Sequence, residues 1–130
     1  MVERFHIDDE SSFQMALLQV KRLLMELGFK EVQSAKFLTA VSELARNILK
    51  YANNGVIEAE KIKKLNVGGL RVVAIDNGPG IENVERALQE NYSSTGTLGQ
   101  GLPGARRLVD EFAIESSAKG TIVTVCSWCE

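Results

Sequence analysis

Histidine, cysteine and proline are scarce in this chain of 130 residues, which contains one, two and two of them. The single histidine, His6, leaves no basis for a multi-histidine metal site or a Ser-His-Asp triad. The cysteines, Cys126 and Cys129, have C-x-x-C spacing, but on a predicted strand, where residues i and i+3 point to opposite faces. We therefore predict two unpaired thiols, because a redox motif would open a helix and structural zinc needs four ligands.

Long hydrophobic segments and an excess of one charge are also missing. No apolar run approaches the ~20 residues that a membrane span requires, and the first residues lack the apolar core of a signal peptide. The formal net charge is −2, which does not favour binding to nucleic acid or to an anionic membrane. We expect a single cytoplasmic domain over residues 1–130, since this length suits one hydrophobic core.

Apolar periodicity predicts helices packed on one face of a mixed β-sheet. Strand 70–75 is almost wholly apolar, as expected of a strand that is covered on both faces. The predicted elements, in chain order, are strand Val2–Ile7, a helix with candidate caps Asp8, Asp9, Ser11 and Ser12 that ends at Gly28, a helix capped by Ser34 that stops at 53–55, strand 56–62, turn 66–69, strand 70–75, a short helix 82–89, a polar mobile loop 90–98, helix 101–110 with Pro103 in its first turn, and strands 112–116 and 121–128.

A carboxylate and two glycines follow the apolar strand 70–75, at Asp76, Gly78 and Gly80. A carboxylate at the end of a buried strand can accept a hydrogen bond from a ligand amine. The glycines permit positive φ and let a ligand approach the backbone closely. Many strands end in Asn-Gly turns, so this motif gains its weight from two further segments.

The first of these segments is a polar stripe on the second predicted helix. Glu43, Asn47 and Lys50 stand at i, i+4 and i+7, which places them on one side of an α-helix, opposite its apolar face. One interpretation is simply the solvated side of an amphipathic helix. In the functional alternative, a carboxylate accepts a proton, a neutral amide oxygen binds Mg²⁺, and a lysine meets phosphate oxygens.

The second segment is glycine-rich and leads into a helix at Gly99, Gly101 and Gly104. The spacing satisfies the dinucleotide fingerprint, but that motif needs a strand directly before it and an acid about 20 residues later. Here a Ser/Thr-rich stretch precedes it and residue 120 is glycine. Two interpretations stay open: a helix start whose backbone N–H groups face phosphates, or a flexible loop with a glycine cap.

Together these segments resemble the GHKL ATPase superfamily, whose fold is a two-layer α/β sandwich. The resemblance implies that Asp76 binds the adenine amino group of ATP, that Asn47 binds Mg²⁺ and that Glu43 is the base. It also implies an ATP lid between the two glycine segments. Lys50 matches the form that the motif containing Glu43 and Asn47 takes in the histidine kinases. The cofactor-binding residues implied are Asn47, Lys50, Asp76, Gly78, Gly80, Gly99, Gly101, Leu102 and Thr121.

Within the superfamily, residues 39–47 and 101–112 are most similar to the small serine/threonine kinases of bacterial partner-switching systems, especially stressosome switch kinases. The resemblance implies an ATP-dependent kinase that phosphorylates a STAS-domain partner and, once released, activates a PP2C-type phosphatase. Two alternatives stay open: an anti-sigma factor that sequesters a sigma factor, and an ATP-gated interaction protein with little chemistry. A histidine kinase is disfavoured, because His6 does not lie on a dimerisation helix.

Overall fold

The computed structural model describes residues 1–79 and 101–130. The predicted short helix 82–89 and the polar loop 90–98 lie outside the described residues. The elements are β1 (Val2–Ile7), α1 (Glu10–Glu26), α2 (Glu31–Asn47), a π-helical segment (Ile48–Ala52), β2 (Gly55–Lys64), β3 (Val67–Asp76), α3 (Leu102–Arg107), β4 (Glu111–Ser117) and β5 (Gly120–Trp128). None of the helices in these two stretches has the length and apolar character needed to cross a membrane.

The five described strands form one sheet in the order β1-β2-β3-β5-β4, and the helices pack against it. This confirms the two-layer α/β sandwich. Every neighbouring pair is antiparallel, so the prediction of a mixed sheet is wrong for these strands. The connection from β1 to β2 contains two helices, α1 and α2. A helix pair returns the chain to the end of the sheet that it left, so the next strand runs back antiparallel.

One face of the sheet is buried beneath the helices. Alternate residues of β3, namely Leu70, Val72 and Ala74, are at most 4% exposed, whereas Val73 and Ile75, on the other face of the strand, are only half-buried. The expectation that this strand is covered on both faces is therefore wrong among the described residues. Its continuous apolar run reflects the preference of β-branched residues for strands. The helices contribute Phe13, Leu24, Phe37 and Leu44 to the core.

The two long helices begin in different ways. At α1, Asp9 accepts a hydrogen bond from the Ser12 backbone N–H (2.7 Å), and the Ser12 hydroxyl oxygen accepts one from the Asp9 backbone N–H. This capping box lowers the pKa of the Asp9 carboxyl. The prediction that Ser34 caps α2 is wrong, because α2 begins at Glu31 without a side-chain cap. The buried Phe29 fixes the chain just before that point, so the helix starts a turn earlier.

The C-terminal end of α2 departs from α geometry. The α-helix ends at Asn47 and continues directly as the π-helical segment, which stops at Asn53 with a φ of 68°. The prediction of a single α-helical stripe through Lys50 is therefore wrong at its last member. A π-turn closes i→i+5 hydrogen bonds and changes the angular step per residue.

Two other predicted boundaries also shift. The β2–β3 hairpin turns on Leu65 and Asn66 alone, since Lys64 pairs with Val67, rather than on residues 66–69. Gly69 stays inside β3 because the Trp128 ring lies against it: a Cβ there would be 2.7 Å from Trp128 Cε3. The predicted helix 101–110 is shorter than expected, ending at Arg107 before β4 begins.

Candidate active site

Glu43 lies where α2 meets the start of α3. Its carboxylate packs against Gly101, the N-cap of α3, which has a φ of 89°. A Cβ at Gly101 would collide with Glu43 Oε2, so glycine is required both for its backbone conformation and for this close approach. The Glu43 side chain is half-buried. It therefore sits at a junction between two elements and not on an open, solvated helix side.

The other two members of the predicted stripe diverge. Asn47, the last residue of α2, is half-buried, one helical turn after Glu43. Lys50 is exposed on the π-helical segment, with its ammonium 5.9 Å from the centroid of the Tyr51 ring. The structure thus keeps Glu43 and Asn47 on one α-helix and sets Lys50 apart from them.

Asp76 ends β3 with its side chain held in place. Its Oδ1 accepts a hydrogen bond from the Gly78 backbone N–H at 2.8 Å. Gly78 in turn packs on Ala52, the last residue of the π-helical segment, where a Cβ would come within 2.9 Å of Ala52 Cβ. Within the described part of the chain, Asp76 Oδ2 has no hydrogen-bond partner and is left as an acceptor.

Thr121 stands beside Asp76 on the neighbouring strand β5. It is only 5% exposed, and its hydroxyl lies 2.8 Å from the Ser116 hydroxyl on β4. Gly120 precedes it with a φ of 146°, and a Cβ there would collide with the Asp76 carbonyl oxygen. Glycine is what lets β5 start directly against Asp76. Sequence reasoning missed Ser116, since its role depends on the β4–β5 register, which periodicity does not reveal.

The predicted site residues that the structure describes fall mainly into two groups. Leu102 is 1% exposed at the start of α3 and anchors that helix in the core. Gly80 and Gly99 lie outside the described residues. The structure thus brings Asp76, Gly78 and Thr121 together at the ends of β3 and β5. It also brings Glu43 and Gly101 together where α2 meets α3.

The oxygen donors present suit a magnesium ion that is held mainly by the phosphates of a bound substrate. No group of three or more His, Cys, Asp and Glu side chains that could hold a metal occurs in residues 1–79 and 101–130. Mg²⁺ commonly keeps several waters and binds through one or two protein oxygens together with substrate phosphates. A single amide oxygen, that of Asn47, fits this mode.

Comparison with known proteins agrees with this fold. Residues 8–127 match the histidine kinase-like ATPase domain. Serine/threonine-protein kinase RsbT of Bacillus subtilis (strain 168) is 42% identical over 109 residues, which cover 83% of this chain and 82% of RsbT. Anti-sigma F factor of Thermoanaerobacter sp. (strain X514) is 30% identical over 122 residues, covering 90% of this chain and 84% of that protein.

A solved structure shares the fold. The crystal structure of the RsbU and RsbW domains of Rv1364c from Mycobacterium tuberculosis aligns with a TM-score of 0.65 at 22% identity. The alignment covers 96% of this chain but 32% of that one, so the present chain spans about a third of its length. At this identity the likeness concerns the fold alone.

The two-layer fold is that of a class of ATPase domains, and the chain belongs to the histidine kinase-like ATPase family. Within the family it is an ATP-using serine/threonine-protein kinase of the RsbT-like type, as the identity over most of both chains shows.

Proposed function

We propose that residues 1–130 act as one ATP-binding unit that phosphorylates a serine or threonine of a STAS-domain partner in a bacterial partner-switching system, in the cytoplasm. The observation that carries this proposal is the contact between Glu43 and Gly101. It holds a carboxylate against the backbone where the second glycine segment enters α3. A side chain that served only to solvate α2 would not need a glycine opposite it.

The adenine end of the nucleotide is assigned to the ends of β3 and β5. Asp76 accepts a hydrogen bond from the adenine amino group through Oδ2, because Oδ1 is already engaged by Gly78. Thr121 supplies a second polar group beside it, oriented by the Ser116 hydroxyl. Gly78 and Gly120 keep the backbone free of side chains at this point.

The phosphate end is assigned to the start of α3 and to Asn47. Backbone N–H groups at Gly101 and Leu102 face the phosphates, and because α3 has only six residues these groups matter more than a helix dipole. Asn47 would hold Mg²⁺, which supplies positive charge to the phosphate oxygens when bound. Lys50, exposed on the π-helical segment, is the remaining residue assigned to the phosphates.

Glu43 handles the proton of the phosphoacceptor. As the substrate hydroxyl oxygen attacks the γ-phosphorus, its O–H proton passes to the Glu43 carboxylate. The new P–O bond forms while the bond between the γ-phosphorus and the bridging oxygen breaks, and ADP carries away that electron pair. Once released from the phosphorylated partner, the kinase binds and activates a PP2C-type phosphatase.

A second candidate function is sequestration of a sigma factor. It is favoured by the 30% identity to anti-sigma F factors over most of the chain. Both candidates share the nucleotide site, so the partner distinguishes them.

The test is transfer of labelled γ-phosphate from ATP to the cognate STAS-domain protein, with pull-downs against a sigma factor and a PP2C-type phosphatase. We expect labelled STAS protein and capture of the phosphatase. Capture of the sigma factor without any phosphatase binding would favour the second candidate. A wild-type chain that labels no STAS protein contradicts the proposed function.

A further inference from the structure

The turn of the β2–β3 hairpin contains a side chain that the turn itself disfavours. Leu65 and Asn66 form a two-residue loop and have φ values of 49° and 69°. Loops of this kind favour Asn, Asp and Gly, because positive φ brings a Cβ too close to the following backbone. Leu65 is nevertheless a leucine, and it is 90% exposed. Neither the local backbone nor the hydrophobic core explains its presence.

Uncompensated positive charge surrounds this leucine. Lys63 and Lys64 are exposed, and neither has an ion-pair partner within residues 1–79 and 101–130. Lys61, nearby on the same strand, pairs with Glu26 at 2.7 Å. The tip therefore combines an exposed apolar side chain with two cations whose charge nothing in this part of the chain neutralises.

A groove lined by both apolar and charged side chains adjoins the tip on the face of the sheet opposite the helices. It has a volume of about 540 Å³, and its lining includes Ile62 and Trp128, with Lys63 and Lys64 at one end. The acid in its lining, Glu111, accepts a hydrogen bond from Trp128 Nε1 at 2.7 Å. Glu111 is thus engaged by Trp128, and the third cation of the lining, Arg71, is paired with Glu60. Lys63 and Lys64 are therefore available to bind carboxylates of a partner.

The tip lies at the other end of β3 from the proposed adenine site. β3 runs for ten residues from Val67 beside the turn to Asp76, which spans roughly 30 Å at ~3.3 Å per residue. A protein anchored at the tip does not thereby bring a hydroxyl to Glu43. The surface suits a protein that is bound without being phosphorylated.

We propose that Leu65, Lys63, Lys64 and the adjoining groove form a docking surface for an acidic segment of a protein partner that this kinase binds but does not phosphorylate. Apolar side chains of the segment pack on Leu65 and in the groove, and its carboxylates meet the two lysines. A membrane fits less well, because one leucine offers little apolar area for insertion. The proposal rests on the proposed function only for the choice of probe, the cognate PP2C-type phosphatase.

The test measures binding of that phosphatase to Leu65→Asn and Lys64→Glu variants by calorimetry. We expect each to weaken binding by about tenfold or more, while phosphate transfer to the STAS-domain protein stays within about twofold. Leu18→Asn and Lys21→Glu, which make the same changes at exposed positions of α1, are the matched controls and should bind normally. Leu65→Asn should melt at or above the wild-type temperature, because asparagine tolerates positive φ, so misfolding would not explain a loss.

Several results overturn the proposal. One is unchanged phosphatase binding by Leu65→Asn, and another is a wild-type chain that labels the STAS protein but does not bind the phosphatase. Equal loss of transfer and of phosphatase binding would make the tip a substrate contact. Binding to phosphatidylglycerol vesicles that only Leu65→Asn loses, with phosphatase binding intact, would assign the tip to a membrane. Failure of the proposed function has its own signature, the absence of STAS labelling by the wild type.

Discussion

The role proposed for Asp76 predicts that nucleotide affinity can be changed at this side chain with little effect on the fold. In Asp76→Asn, the amide oxygen can still accept the Gly78 N–H bond, which leaves an NH₂ group where the carboxylate offered Oδ2. A donor would then face the adenine amine, and the unsatisfied pair should cost ~1–3 kcal/mol of binding free energy. We expect calorimetry to show ATP affinity reduced accordingly, with the melting temperature little changed. Unaltered affinity would remove Asp76 from adenine recognition.

The role proposed for Glu43 predicts that catalysis can be separated from nucleotide binding. Glu43→Gln keeps the size and helix propensity of the side chain but removes its negative charge. Phosphate transfer to the STAS-domain protein should fall by ~10²–10⁴-fold, the usual contribution of a general base, while ATP affinity stays within a few-fold. Asn47→Ala is the contrasting variant, since loss of a metal ligand should weaken both. If Glu43 only solvates α2, labelled-phosphate assays will show wild-type rates in Glu43→Gln.

The entry into α3 allows a paired glycine experiment. Gly101→Ala would press a methyl group against Glu43 Oε2 at a backbone φ of 89°, so we expect loss of phosphate transfer together with a lower melting temperature. Gly104→Ala is the control on the same short helix, since its Cβ would meet nothing closer than Arg107 Nη2 at 4.0 Å. It should be silent or slightly stabilising, because alanine is the better helix former. Equal effects of the two substitutions would contradict the role assigned to the Glu43–Gly101 contact.

How far the elements follow from the sequence depends on how local their causes are. Periodicity predicts strand β1 with its observed bounds, and the Gly28 stop of α1 has the expected positive φ of 85°. The predicted start of α2 is displaced, because burial of Phe29 rather than a Ser34 cap fixes it. The π-helical segment leaves no periodic signal, so the position of Lys50 does not follow from the sequence pattern.

The geometry of the candidate site, like the position of Lys50, does not follow from local sequence patterns. Only the family resemblance brings Glu43 and the second glycine segment into one site in advance of the structure. The Glu43–Gly101 and Asp76–Gly120 contacts join residues far apart in sequence, and such packing has no one-dimensional pattern. The antiparallel direction of the whole sheet likewise escapes periodicity, because it depends on how the α1–α2 pair returns the chain.

Across the whole molecule, the two thiols should report on unfolding. Both cysteines are free, which confirms the prediction of unpaired thiols. Cys126, on β5, is 4% exposed, and burial raises its pKa to about 11. We expect a thiol reagent at about pH 8 to label Cys129 quickly and Cys126 only as fast as the protein unfolds. Rapid labelling of Cys126 in the native protein would contradict its burial; Cys126→Ser leaves Cys129 as the reference.

The Cys126 thiol also makes the stability of the folded protein depend on pH in alkaline solution. The unfolded Cys126 thiol ionises near its ordinary pKa of 9.0, whereas the folded one holds its proton up to about 11. The contribution of this thiol to the free energy of unfolding is therefore complete below pH 9 and is lost as the pH rises toward 11. Melting temperatures of the wild type should fall more steeply over this interval than those of Cys126→Ala.

The place of β5 in the sheet has a consequence for how the protein is made. β5 is the last strand in the described sequence, yet it lies between β3 and β4. While a ribosome is still synthesising it, β3 has an open edge and Asp76 lacks Thr121 beside it. Pairing of strands so distant in sequence is slow and leaves apolar surface exposed meanwhile. On the proposed assignment the adenine site of the nascent chain is incomplete, and we expect ATP binding to begin only after synthesis has passed Trp128.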